Sequence, residues 1–213
     1  MLQIFDLDHT LLKTNSSSAF FKYLIKQKII PKTTRIHALF LALRYHRRHL
    51  SLKQLHTEIF ERFLIGRKIN DLKNHVETFL DGFLDKALSF ELTSVLSRAQ
   101  HLGHVTALIS ASPLFLVLPI GKRLGIDHIF ASRYAINQEG HMTHIEEIVD
   151  GRQKAVYAKM LSKDLGIEKE YMTAYSDSIE DLPLFRAVGN PIAVQPDKRL
   201  SILAVRRNLP ILK

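Results

Sequence analysis

"IFDLDHTLL", Ile4 to Leu12, places two aspartates, Asp6 and Asp8, at the end of an apolar run close to the start of a 213-residue chain. Leu2–Leu7 is too short for a helix and reads as a buried strand. Similar runs recur at "VTALIS" (Val105–Ser110), "MTAYS" (Met172–Ser176) and "PIAV" (Pro191–Val194). Helical spacing fills the intervals. Leu88, Leu92, Val95, Leu96 and Ala99 share one face of Ala87–Gln100, and Ala155, Ala158, Leu161 and Leu165 do the same in Lys154–Leu165, before Gly166. Strands alternating with helices predict an α/β fold with a doubly wound, Rossmann-like parallel sheet.

That fold gives the paired acids a place. An alternating backbone turns Asp6 and Asp8 to one side and Leu7 into the protein. Open α/β sheets bind ligands beyond the carboxyl ends of their strands. Asp6, Asp8, Ser110, Asp177 and Asp181 follow strand ends and Lys154 opens a helix, so all six converge on one crevice. Clustered carboxylates repel unless a cation or shared proton intervenes. Hard oxygen ligands suit Mg²⁺, which takes one or two carboxylates and keeps waters and substrate oxygens. A lysine and a hydroxyl beside them point to phosphate.

Residues 14–85 read differently. No strand pattern interrupts their amphipathic stretches, which include Ile36, Leu39, Phe40 and Leu43 on one face, and Ile59, Phe63 and Leu64 further on. The expected organisation is an α/β core of residues 1–13 and 86–213 carrying an all-helical cap, residues 14–85. "YAINQEGHMTHI" (Tyr134–Ile145) reads as a small β-hairpin flap turning at Gln138–Gly140.

The composition, 46% hydrophobic and 24% charged, is that of a folded globular protein. No cysteine occurs, which excludes disulfides and thiolate metal sites. The eleven histidines form no zinc-binding spacing. Met1 leads straight into an acid-bearing segment and the apolar stretches fall short of the ~20 residues of a membrane span, so a cytoplasmic protein without a transmembrane segment is expected. The net charge is +9, with 13 Lys and Arg against 6 Asp and Glu in residues 14–85, and no acid at all from His9 to Thr57. Such a surplus faces an anionic partner.

Four motifs, "FDLDHTLL", "LISAS" (Leu108–Ser112), "RQK" ending at Lys154 and "YSDSIEDLPLF" (Tyr175–Phe185), resemble those of the haloacid dehalogenase superfamily. The resemblance is to the phosphoserine-phosphatase-like branch, which carries a helical cap after the first motif. It implies that Asp6 is a nucleophile forming an aspartyl-phosphate and that Asp8 protonates the leaving alcohol and later deprotonates water. It further implies that Ser110 and the amides of Leu7 and Ala111 bind phosphoryl oxygens with Lys154, and that Asp6, Asp177 and the Asp8 carbonyl hold Mg²⁺, steadied by Asp181. Halide displacement needs no leaving-group proton, so Asp8 selects phosphoryl transfer.

Caps of this branch choose the organic part of the substrate. Asn15 stands where its phosphoserine phosphatases carry a glutamate that meets an ammonium group, and Arg62 falls near a substrate-binding cap arginine. A neutral amide cannot replace that carboxylate. The expected substrate is therefore a small, more anionic phosphorylated metabolite: a phosphosugar, a nucleotide or a lipid head group. The alternatives are a phosphotransferase or phosphomutase, and a non-catalytic module binding anionic lipid or RNA through the basic cap. "RIHALFLALRYHRRH" could lie on a membrane surface, but the simpler expectation is that Ile36, Leu39, Phe40 and Leu43 fill the cap's own core and that "YHRRH" (Tyr45–His49) is solvated. Lack of interleaved aromatic and basic residues speaks against nucleic acid.

Overall fold

A computed structural model describes residues 1–31, 34–47 and 49–212, without the side chains of Arg35, Ala38, Leu39, Ala42 and His46. Seven strands form one sheet in the order β4-β3-β2-β1-β5-β6-β7. They are β1 (Leu2–Phe5), β2 (Val105–Pro113), β3 (His128–Ile136), β4 (Met142–Glu147), β5 (Met172–Ser176), β6 (Asn190–Val194) and β7 (Ile211–Leu212). All neighbours pair in parallel except β3 and β4.

The four residues of β1 are all buried. The strand sits at the centre of the sheet, Leu2 opposite both Val105 and Met172, and its two faces feed two cores. Leu2 and Ile4 join Ala107, Ile109 and Ala174 beneath α7 (Gly151–Leu165), α8 (Leu182–Ala187) and α9 (Lys198–Arg207). Phe5 and Leu108 join the other core with α5 (Phe90–His101) and α6 (Leu114–Arg123). Helices on both faces are why a parallel strand reads as a continuous apolar run.

Between β1 and α5 lie α1 (Ser16–Lys26), α2 (Thr34–His46), α3 (Leu52–Phe63) and α4 (Ile69–Ala87). Phe20, Leu24, Phe60, Phe63, Leu72, Val76 and Phe79 are buried and continuous with the core of the Phe5 face. The hairpin braces this insertion through its backbone: Gly66 N donates to Met142 O at 2.8 Å, Met142 N to Arg67 O at 3.0 Å and Ile69 N to Gly140 O at 2.9 Å. Among the described residues, no helix is long and apolar enough to cross a membrane.

Three sequence expectations change. Strand β1 stops at Phe5, and the acids stand in a tight turn in which Leu11 N reaches Asp6 O and Leu12 N reaches Leu7 O. The hairpin expected at Tyr134–Ile145 is present, and its first arm, β3, extends from the parallel sheet, where it pairs with β2, into its antiparallel pairing with β4. On α2, Ile36, Phe40 and Leu43 are exposed, whereas Thr34 and Leu41 on the opposite face are buried. Leu39 falls outside the described side chains, as do His46 and Arg48 of "YHRRH". Finally, Tyr45 is half-buried rather than free at the helix end: its hydroxyl donates to Glu180, an exposed residue of the loop after β5, at 2.9 Å.

Candidate active site

The candidate site lies at the carboxyl ends of β1 and β5, beside the last residues of β2. Asp6 N donates to Tyr175 O at 3.0 Å, which ties the first loop to the end of β5. On β2 the register slips between Ser110 and Pro113, a bulge that re-aims Ala111 and Ser112. Asp150 opens α7 by accepting from the N–H groups of Arg152 and Gln153. A Cβ on Gly151 would lie 1.9 Å from the Glu180 carbonyl oxygen, so glycine alone lets α7 approach the loop after β5. That approach delivers Lys154.

Lys154 is 4% exposed, and its Nζ donates to Asp6 Oδ1 and Asp181 Oδ2, each at 2.7 Å. Asp181 Oδ2 also accepts from Ser176 Oγ at 2.6 Å. Burial, the largest single effect, pushes the Lys154 ammonium down, but the charges and hydrogen bonds of Asp181 and Asp6 together outweigh it and hold the group well above its usual range. A lysine so placed stays charged. Thr10 Oγ1 lies 3.4 Å from both Asp6 Oδ2 and Asp177 Oδ1, so these two carboxylates share one neighbourhood. The Asp177 loop is pinned from behind, where Asp197 N donates to Asp177 O at 2.8 Å and Asp197 Oδ2 accepts from Ile179 N at 2.9 Å.

Burial raises the Asp6 carboxyl, with Lys154 opposing it. Burial and the charges of Asp6 and Asp181 raise Asp177. Asp6, Asp177 and Asp181 thus gather near a single lysine, a clustering of carboxylates that a bound cation would relieve. No cluster of three acidic or histidine side chains alone forms a ligand set among the described residues. Two carboxylates, Asp6 and Asp177, with the backbone of the Asp8 turn, could form a donor set. It fits a hard cation such as Mg²⁺, which keeps several waters.

Asp8 is held separately. Its Oδ1 accepts from Ser16 N at 2.6 Å, and its Oδ2 accepts from Ser112 Oγ at 2.6 Å and Asn15 Nδ2 at 3.2 Å. Asn15 also caps α1, its Oδ1 accepting from Ser18 N at 2.8 Å, so both ends of its amide are engaged. Ser110 is buried and its Oγ accepts from Ser112 N at 3.2 Å. Leu7 is buried beside the acids. The structure thus gathers Asp6, Asp8, Asn15, Ser110, Ala111, Lys154, Asp177 and Asp181. Arg62 is exposed on α3, and no hydrogen bond joins it to this cluster among the described residues.

Several participants escaped the sequence reading. Ser112 lies inside a quoted motif, but nothing local marks its hydroxyl as a partner of Asp8. Ser16 contributes a backbone N–H, and Thr10 and Ser176 act through neighbours. Tyr45 pairs with Glu180 across 135 residues, which no local pattern encodes.

Comparison with known proteins agrees with the geometry. The chain is 29% identical over 214 residues to the inhibition of morphological differentiation protein of Streptomyces azureus, covering 98% of this chain and 76% of that one. It is 26% identical to the histidinol-phosphatase of Neisseria meningitidis serogroup C, covering 99% and 97%. A Bordetella pertussis protein of unknown function has the same fold, with a TM-score of 0.89 at 25% identity over 100% of this chain and 97% of that one. Substrate-bound phosphoserine phosphatase shares the fold at a TM-score of 0.72 and 19% identity, covering 100% and 92%. The haloacid dehalogenase-like hydrolase family model matches residues 4–186, which span all four motifs, and the chain belongs to that family as a phosphohydrolase.

Proposed function

We propose that the protein is a Mg²⁺-dependent phosphatase that hydrolyses a small phosphomonoester through an aspartyl-phosphate on Asp6, with residues 14–85 as a substrate-selecting cap over a core of residues 1–13 and 86–213. The observation that carries this reading is the division of labour between the two acids. Lys154 grips Asp6 Oδ1, whereas three donors from α1 and β2 hold Asp8.

Asp6 and Asp177, with the Asp8 carbonyl, would hold Mg²⁺, which would supply positive charge beside the phosphoryl group. Asp181 stands behind this set, because its Oδ2 is taken by Lys154 and Ser176. Asp6 Oδ2, the oxygen not bonded to Lys154, attacks phosphorus, and the bond from phosphorus to the leaving oxygen breaks. Asp8 gives its proton to that oxygen. Water then attacks phosphorus, its proton passes to Asp8, and the Asp6–phosphorus bond breaks to release inorganic phosphate. Lys154, Ser110 and the amides of Leu7 and Ala111 neutralise and orient the phosphoryl oxygens.

The role of Asp8 requires two protonation states, and its neighbours suit both. Ser112 Oγ donates to the carboxylate at 2.6 Å, and it also lies 2.7 Å from Ser17 Oγ. A hydroxyl proton can rotate. When Asp8 is protonated, Ser112 can accept from it and donate to Ser17 instead.

Asn15 brings no negative charge to the substrate side, which favours a substrate more anionic than phosphoserine: a phosphosugar, a nucleotide or a lipid head group. Arg62 belongs to that proposal only as an exposed cap cation. The acid-free stretch from His9 to Thr57 also supports contact with an anionic surface. A phosphate-release screen over phosphomonoesters, with and without Mg²⁺, tests the reading. Turnover that needs Mg²⁺ and disappears in Asp6→Asn is expected. Phosphate passed to an added alcohol with none reaching water would instead make the enzyme a phosphotransferase, and phosphoserine as much the best substrate would overturn the substrate class.

A further inference from the structure

The outer face of α2 is uncovered. On its inner side Thr34 and Leu41 are buried and Tyr45 reaches Glu180. Half a turn away, at helical spacing, Ile36, Phe40 and Leu43 are 73%, 57% and 46% exposed. Arg47 continues the same stripe and is exposed. The Arg44 guanidinium lies 5.6 Å from the Phe40 ring centroid and 4.0 Å from Glu58. From His9 to Thr57 the chain has ten Lys and Arg and no acid.

An exposed apolar stripe that ends in cations is the pattern of a helix lying in the plane of a bilayer surface. The chemistry selects among partners. Nucleic acid has phosphate for the arginines but nothing for Ile36 and Leu43. A second copy would bring one acid-free stretch against another. Anionic lipid offers phosphate at the head groups and hydrocarbon just beneath, which matches both halves of the stripe.

We propose that α2 docks this protein peripherally on anionic phospholipid, Ile36, Phe40 and Leu43 entering the head-group region while Arg44, Arg47 and the surrounding cations meet lipid phosphates. Tyr45 lies on the opposite side of the helix, so docking uses the back of the insertion and leaves its contact with Glu180 intact. This inference does not depend on the phosphatase reading.

The test is flotation of the whole chain with vesicles of phosphatidylcholine alone or mixed with phosphatidylglycerol. Binding to the mixed vesicles only, weakened by salt, is expected. Combined Ile36→Ser, Phe40→Ser and Leu43→Ser should lower it by roughly tenfold or more, with an unchanged circular dichroism spectrum and melting temperature. Arg47→Glu, on an exposed position, should lower it independently. Absence of flotation, equal binding to neutral vesicles, or wild-type binding by a folded triple variant and by Arg47→Glu would each overturn the proposal. So would RNA that displaces the vesicles from this face, or a concentration-dependent dimer that the triple substitution abolishes.

Discussion

Replacing Ser112 by alanine probes the proton shuttle without touching the nucleophile. The side chain donates to Asp8 at 2.6 Å, a hydrogen bond to a charged group of the kind that contributes about 1.5–3 kcal/mol. Asn15 and the Ser16 amide still hold Asp8 after the change, which favours the lower half of that range. At about 1.36 kcal/mol per factor of ten, turnover should fall by about 10–40-fold. The loss should depend on the leaving group. An alkyl phosphate expels a poor leaving group and needs the Asp8 proton, whereas p-nitrophenyl phosphate expels a stable phenolate. Steady-state phosphate release should therefore show the full loss with the alkyl ester and less than about threefold with the nitrophenyl ester, provided hydrolysis of the intermediate does not limit the rate. Ser112→Thr, which keeps the hydroxyl, should restore most of the activity. Equal losses with both esters, measured in single-turnover formation of the intermediate, would show that Ser112 does not act through Asp8.

Asp177→Asn should raise the Mg²⁺ concentration for half-maximal activity by more than about 100-fold, since even outer-shell changes cost about 10–100-fold in metal affinity; an unchanged Mg²⁺ titration would remove Asp177 from the metal set. Lys154→Met should destabilise the metal-free protein by about 3–5 kcal/mol in urea titration, because Asp6 and Asp181 lose their buried partner. Adding Asp181→Asn should recover part of that loss, and a Lys154→Met protein as stable as wild type would contradict the buried triad. His56, whose Nδ1 lies 3.3 Å from the Tyr134 hydroxyl, is lowered by burial from 6.5 to about 4. The unfolded chain binds the extra proton between those values, so this contribution is complete above pH 6.5 and is lost as pH falls toward 4. At about pH 5 the loss is about 2 kcal/mol. Asp6 and Asp177 titrate in the same window in both proteins, so denaturant titrations at about pH 7.5 and about pH 5 should show a fall in stability on acidification that is about 2 kcal/mol larger in the wild type than in His56→Gln.

Much of this protein is legible along the chain. The apolar runs of β1, β2, β5 and β6 and the helical spacing of α5 and α7 are local patterns, because a strand buried on both faces and a helix buried on one each leave a period in the sequence. Polar residues at the ends of those runs marked the crevice for the same reason. Other features depend on residues that are far apart in sequence. The turn after Phe5 departs from an extended strand because its own backbone bonds close it, and β3 joins the sheet through partners on β2 that its composition does not reveal.

The sequence by itself determined the α/β class, the helical insertion and the set of acids, lysine and serine that carry the chemistry, since periodicity and residue type are properties of the chain. Only the tertiary structure decided that Lys154 lies between Asp6 and Asp181, that Asn15 and Ser112 hold Asp8, and that α2 turns Ile36, Phe40 and Leu43 to solvent with Tyr45 against the core. Which side of an amphipathic helix is covered depends on what packs against it, and hydrogen-bond partners more than a hundred residues apart meet only when the sheet brings their loops together.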